Sequence, residues 1–177
     1  RFRHVPTFGR GVIRRFSDDT LSMKRLAARD FEDILQCAMP IFEGLLPTPH
    51  DTIVQTLLFR FAEWHAYAKL RLHTELTLDS MSQSLTSLTE QLRKFCCQVC
   101  DNYDTTELPK ERAAWYQREA LKENQTTDAP SSSPKKKSFN MRTYKFHALG
   151  NYVQCIKLFG TTDSFTMQIV GASWLSV

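Results

Sequence analysis

The sequence predicts a mostly α-helical fold, an irregular bundle of about five helices with one terminal strand. Long segments carry apolar residues at steps of three and four, the spacing of one face of a helix. Serine, threonine and proline stand where these segments begin, in the positions of N-terminal caps and first-turn residues. Residues 164–169 alternate polar and apolar side chains, which predicts the strand.

The first two helices are predicted from the residues at their ends. Ser17 and the two aspartates after it are typical of a helix cap and first turn, and Pro40 is expected to kink or end that helix. Thr48 and Pro49 then open a second helix that runs to about His73. Its apolar face is wide, which predicts a central helix in contact with two neighbours.

The third helix has the most regular pattern in the chain. Apolar residues alternate steps of three and four, while small polar residues fill the opposite face. Such a seam packs against another helix. The short connection to the second helix favours an internal bundle helix, and the alternative is a zipper for a helical protein partner or a homodimer. The seam consists of Leu78, Met81, Leu85, Leu88, Leu92, Phe95 and Val99.

The remaining segments complete a division of the chain into five parts. Pro109 opens a charged fourth helix around Trp115, and a fifth helix over about 142–158 ends at Gly160, predicted to be a left-handed stop residue. The parts are a basic irregular arm (1–16), a helical bundle (17–122), a low-complexity linker (123–138), a C-terminal helix and strand (139–168) and a tail (169–177).

Basic residues are concentrated in two places, although the net charge of the 177-residue chain is only +4. Residues 1–16 and residues 134–146 each carry five lysines or arginines and no acid. Such patches attract the phosphates of nucleic acids, whereas the simpler interpretation is a solvated tail and a solubilising loop. The candidate DNA contacts are Arg1, Arg3, Arg10, Arg14, Arg15, Lys135, Lys136 and Lys137.

The residues taken alone indicate no reaction. Cys97 and Cys100 form a C-x-x-C spacing, but a closed zinc site needs four ligands and the sequence has no second pair. We find no nucleophile–base arrangement, no phosphate-binding loop and no catalytic acid pair, so no metal, cofactor or small-molecule substrate is predicted for this chain. No apolar run is long enough to span a membrane, and five cysteines without an export signal predict an intracellular protein.

Three segments, in this order, resemble the C-terminal part of fungal DNA transposases. They are "FGRGVIRRFSDDTLSMKRLAARDFEDILQCAMPIFEGLLP", "TIVQTLLFRFAEWHAYAKLRLH" and "YKFHALGNYVQCIKLFGTTDSFTMQ". The resemblance is to the Plavaka group of mushroom-forming fungi, which is related to CACTA-type elements and more loosely to Kyakuja-Dileera-Zisupton transposases. The positions that match the family series are Lys145, His147, Leu149, Tyr152, Ile156, Phe159 and Gly160.

The resemblance implies a nuclear cut-and-paste enzyme with an RNase H-like core, in which three carboxylates hold two divalent metals such as Mg²⁺. A helical insertion often interrupts that core before its last acid, and this chain resembles the insertion and the approach to the acid. The family continues after the region of Gln168 with a glutamate motif, whereas residues 169–177 here contain no acid. We therefore expect a transposase fragment that is catalytically inactive alone and retains non-specific contact with the DNA backbone.

Overall fold

The computed structural model describes residues 1–9, 13, 16, 20, 27–122 and 134–162. As predicted, this part of the chain is mostly helical. The only β-pairing within it consists of two isolated antiparallel bridges. Its helices are α1 (Ala28–Phe42), α2 (His50–Ala68), α3 (Glu75–Gln98), α4 (Pro109–Lys122), α5 (Tyr144–Ala148) and α6 (Tyr152–Phe159). The predicted strand and the tail lie outside the described residues.

Helix α1 corrects the expectation that Pro40 ends or kinks the first helix. Pro40 lies inside α1, which continues to Phe42. Pro40 has no N–H to donate to the Gln36 carbonyl four residues earlier, and the helix ends two residues after it, at Phe42. Side chains also satisfy carbonyl groups at this end: Arg1 Nη1 donates to the oxygens of Ile41 and Glu43 at 2.9 and 2.7 Å. The predicted cap residue, Ser17, lies outside the described residues.

Helices α2 and α3 form an antiparallel pair joined by a short turn. Helix α2 starts one residue later than predicted, at His50, and stops at Ala68 rather than near His73. The cause is a cap for the next helix, because Thr74 Oγ1 accepts the backbone N–H of Thr77 at 3.3 Å and Thr77 Oγ1 accepts that of Thr74 at 2.8 Å. These reciprocal hydrogen bonds set the first turn of α3.

The predicted seam of α3 is internal. Leu78, Met81, Leu88 and Leu92 are buried together with Trp64 and Ala68 of α2 and Ile156 of α6. This confirms the interpretation of α3 as an internal bundle helix. The cluster also takes in half-buried side chains of the C-terminal segment, so residues 141–156 share one core with the bundle.

The predicted fifth helix is interrupted, which corrects the expectation of one helix over 142–158. A 3₁₀ turn, Leu149–Asn151, separates α5 from α6. Gly150 and Asn151 are weak helix formers, so a break costs least here. The position of the predicted stop is confirmed, since α6 ends at Gly160. Its angles, φ +87° and ψ −170°, lie outside the predicted left-handed helical region, in extended backbone of positive φ that only glycine adopts readily.

The basic arm is docked on α1. A 3₁₀ turn forms at Phe2–His4, and Phe8 pairs with Ile13. Phe16 is buried in a second, smaller hydrophobic cluster with Cys37 and Ile41. Apolar residues spaced between the arginines hold the arm in place, a function that its lack of helical periodicity did not indicate.

Candidate functional site

The three lysines predicted to contact DNA form one extended strip, which we call the lysine strip (residues 135–137). Its backbone pairs with residues 105–107, since Glu107 N donates to Lys135 O at 3.0 Å and Lys137 N donates to Thr105 O at 2.8 Å. The lysines sit at the end of the predicted low-complexity linker, and pairing with this edge holds their backbone in a defined place.

Each ammonium group of the lysine strip has a neighbour that attracts it. Lys136 Nζ lies 2.8 Å from Asp104 Oδ1, Lys137 Nζ lies 3.8 Å from Glu111 Oε2, and Lys135 Nζ lies 3.5 Å from the centre of the Trp115 ring. The hydrogen bond to Asp104 and its charge raise the pKa of Lys136. All three lysines are exposed, so these contacts are weak and exchange readily with solvent ions.

The arginines predicted to contact DNA have different environments. Arg1 uses its guanidinium group on the carbonyls at the end of α1. Arg3 is exposed on the docked arm. Arg10, Arg14 and Arg15 lie outside the described residues. Arg1 thus fixes the base of the basic arm, and both Arg1 and Arg3 are exposed.

The residues that match the transposase series divide into a buried and an exposed set. Tyr152 packs edge-on against Trp64, with ring centres 5.0 Å apart, and Leu149 packs against the same core. Lys145, His147 and Phe159 are exposed. Gly160 supplies the turn after α6. The first set therefore fastens α5 and α6 to the bundle.

The described residues form an apolar cleft of about 770 Å³ that the sequence did not predict. It opens where α2 begins and α3 ends, beyond the part of this pair that α6 covers. Its apolar wall consists of Phe42, Leu45, Leu46, Val54, Leu57, Leu58, Phe95, Val99 and Phe139. Phe95 and Val99 are the last residues of the seam, but the seam alone does not reveal which neighbours would leave space beside them.

Cys96 and Cys100 line the cleft, whereas Cys97 is exposed and is not part of its wall. Burial raises the pKa of the Cys100 thiol, and the neighbouring Cys96 raises it further. The C-x-x-C spacing is thus split between two environments. Among the described residues, no group of three histidine, cysteine or acidic side chains is placed to hold a metal ion.

No helix in the described part of the chain is long and apolar enough to cross a membrane. Comparison of the chain with protein-family models, curated proteins and solved structures finds no significant match.

Proposed function

We propose that this chain is the helical part of a fungal transposase related to the Plavaka group, inactive by itself, that contacts the DNA backbone. The order of the three resembling segments supports this proposal. The observation that carries it is the matched series from Lys145 to Gly160, whose Leu149 and Tyr152 anchor α5 and α6 to the core and whose glycine ends α6 with a positive φ.

The divalent metals of the parent family do not fit the described residues. Two-metal catalysis requires grouped carboxylates, and the described ranges contain no set of three candidate ligands. We therefore propose no catalytic step for this chain and limit its proposed function to contact with the DNA backbone.

Contact with DNA is proposed for the exposed Arg3 and for the lysine strip. Arg3 is held on an arm that packs against α1 through Phe16, so its position is set before DNA arrives. The lysine strip also has a defined backbone, but Asp104 and Glu111 offset part of its charge. Arg3 is thus expected to neutralise a phosphate more completely than Lys136 or Lys137.

We expect Arg3→Gln to reduce the salt dependence of binding to random duplex DNA. One lost phosphate contact lowers the slope of log K against log salt concentration by about 0.9, and Lys136→Gln should lower it by less because Asp104 already pairs with that lysine. Filter-binding titrations between low and physiological salt measure the slope. Lys94→Gln on α3, which removes an exposed charge outside both patches, is the matched control.

Absence of duplex binding at low salt would refute the proposed DNA contact. A slope that Arg3→Gln and Lys94→Gln change equally would show that only the total charge matters, which also contradicts a specific role for the arm.

A second candidate function is a helical protein-interaction module, favoured by the apolar cleft. The α3 seam is mostly buried, and its end at Phe95 and Val99 opens into this cleft. The proposed occupant is a second copy of the chain. Large apolar side chains are exposed elsewhere on the same molecule, with Leu76 and Phe159 78% and 68% exposed, so a copy brings apolar surface of its own.

We expect the chain to form a dimer that Leu45→Asp converts to a monomer. Leu45 lines the cleft and is 47% exposed, so a charge there opposes docking without entering the core. Size-exclusion chromatography with light scattering measures the mass. Ser82→Asp adds the same charge at an exposed position of α3 and should leave the dimer intact. A chain that is monomeric at all concentrations contradicts this candidate.

A further inference from the structure

Trp115 of α4 lies beside the lysine strip with 39% of its surface exposed. Lys135 Nζ is 3.5 Å from the centre of the indole ring, and Tyr116 meets the indole edge-on with ring centres 5.4 Å apart. Exposure of a large aromatic ring to water is unfavourable in free energy. The indole of Trp115 is nevertheless partly exposed, and a cation lies over it. By contrast, Trp64 in the core of the bundle is only 4% exposed.

Cations outnumber acids around this ring. The segments that build the surface are residues 104–118 and the lysine strip, which pair through the Thr106–Lys136 bridge. Their basic residues are Lys110, Arg112, Arg118, Lys135, Lys136 and Lys137, and their acids are Asp104, Glu107 and Glu111. The local excess of positive charge complements a polyanion.

We propose that Trp115 and the lysine strip form a binding surface for single-stranded nucleic acid, in which a base stacks on the indole and the lysines meet the adjacent phosphates. This inference rests on the proposed contact with DNA and names the form of DNA that this surface takes. Single strands are bound without sequence preference by the combination found here, an accessible aromatic ring flanked by cations. Paired bases in a duplex offer no free face to the ring.

Stacking of a base requires the ammonium group of Lys135 to leave the ring. A cation over an exposed ring strengthens an association by only about two- to fivefold. A base stacked on an aromatic side chain strengthens binding by about five- to 150-fold. The exchange is favourable, and it releases the Lys135 charge to a phosphate next to the stacked base.

Fluorescence titration with oligothymidylate tests this surface, because a base stacked on an indole quenches its emission. We expect quenching of the full chain and its loss in Trp115→Phe, which keeps a ring for stacking and therefore retains most of the affinity. Trp115→Ala should weaken binding by about five- to 150-fold. Trp174→Phe is introduced in every chain tested, so that the tryptophan emission left in Trp115→Phe comes from Trp64. Trp64 is buried and serves as the internal control, since its emission should not respond to the oligonucleotide.

Two results would overturn the inference: equal affinity of Trp115→Ala and the unsubstituted chain for oligothymidylate, or quenching that persists in Trp115→Phe. Binding of random duplex measured in parallel separates this failure from failure of the proposed function. Duplex binding that depends on Arg3, without quenching by single strands, rejects the Trp115 surface alone, whereas absence of both rejects both proposals. Circular dichroism of each variant excludes loss of folding as the cause.

Discussion

Substitution of Leu88 by alanine is expected to lower the free energy of unfolding by about 3 to 5 kcal/mol. Leu88 is 0% exposed and lies at the middle of α3, in the cluster that joins α2, α3 and α6. Removing its side chain loses the transfer free energy of the buried groups and leaves a cavity, because neighbours on helices held at both ends collapse only in part.

Leu76→Ala is the matched control, because it makes the same chemical change on the same helix. Leu76 is 78% exposed, so its truncation should change stability by no more than about 0.5 kcal/mol. Urea unfolding followed by circular dichroism gives both values. Similar losses for the two variants would mean that α3 does not face the core as described.

The second large effect is expected for Trp64→Ala, again about 3 to 5 kcal/mol. Trp64 is 4% exposed and connects α2 to the C-terminal segment through its edge-on contact with Tyr152. Its loss should therefore destabilise α6 as well as α2. Trp115→Ala removes an equally large ring that is 39% exposed, and we expect it to cost about 1 kcal/mol or less.

Trp64→Phe should cost less than half as much as Trp64→Ala. The buried Nε1 of Trp64 has no hydrogen-bond partner among the described residues, so phenylalanine retains an aromatic ring and removes an unpaired donor. The comparison of the two variants in the same unfolding assay measures how much of the stability the retained aromatic ring preserves. If phenylalanine were as costly as alanine, the phenyl ring would not be replacing the indole in its packing against Tyr152.

Elements with strong periodicity could be predicted from the sequence, and elements governed by distant contacts could not. The α3 seam and the glycine stop after α6 depend on spacing and on one backbone conformation, both of which are local properties. The continuation of α1 through Pro40 depends on donors such as Arg1, about forty positions away. The break at Leu149–Asn151 precedes a helix whose first residue, Tyr152, packs on Trp64 of α2, a contact between distant segments.

For the candidate site, too, local properties could be predicted from the sequence and contacts between distant segments could not. Composition indicated two basic patches, but it could not show that Asp104 and Glu111 lie beside the lysine strip or that Trp115 does. These neighbours are separated from the lysines they contact by 20 to 32 positions, and the pairing of residues 105–107 with the strip brings them together. The apolar cleft was not predicted because a cavity forms where side chains from several segments leave space between them. No single segment of the sequence shows where that happens.

By itself the sequence determined the helical class, the internal seam and the end of α6, because helix periodicity, capping chemistry and glycine's conformational freedom act within a few residues. Only the tertiary structure decided which charges remain exposed, where apolar surface is left open and which tryptophan faces solvent. The physical reason is that burial and electrostatic pairing depend on distances between segments far apart in the chain, and these distances are set when α2, α3 and α6 close on their common core.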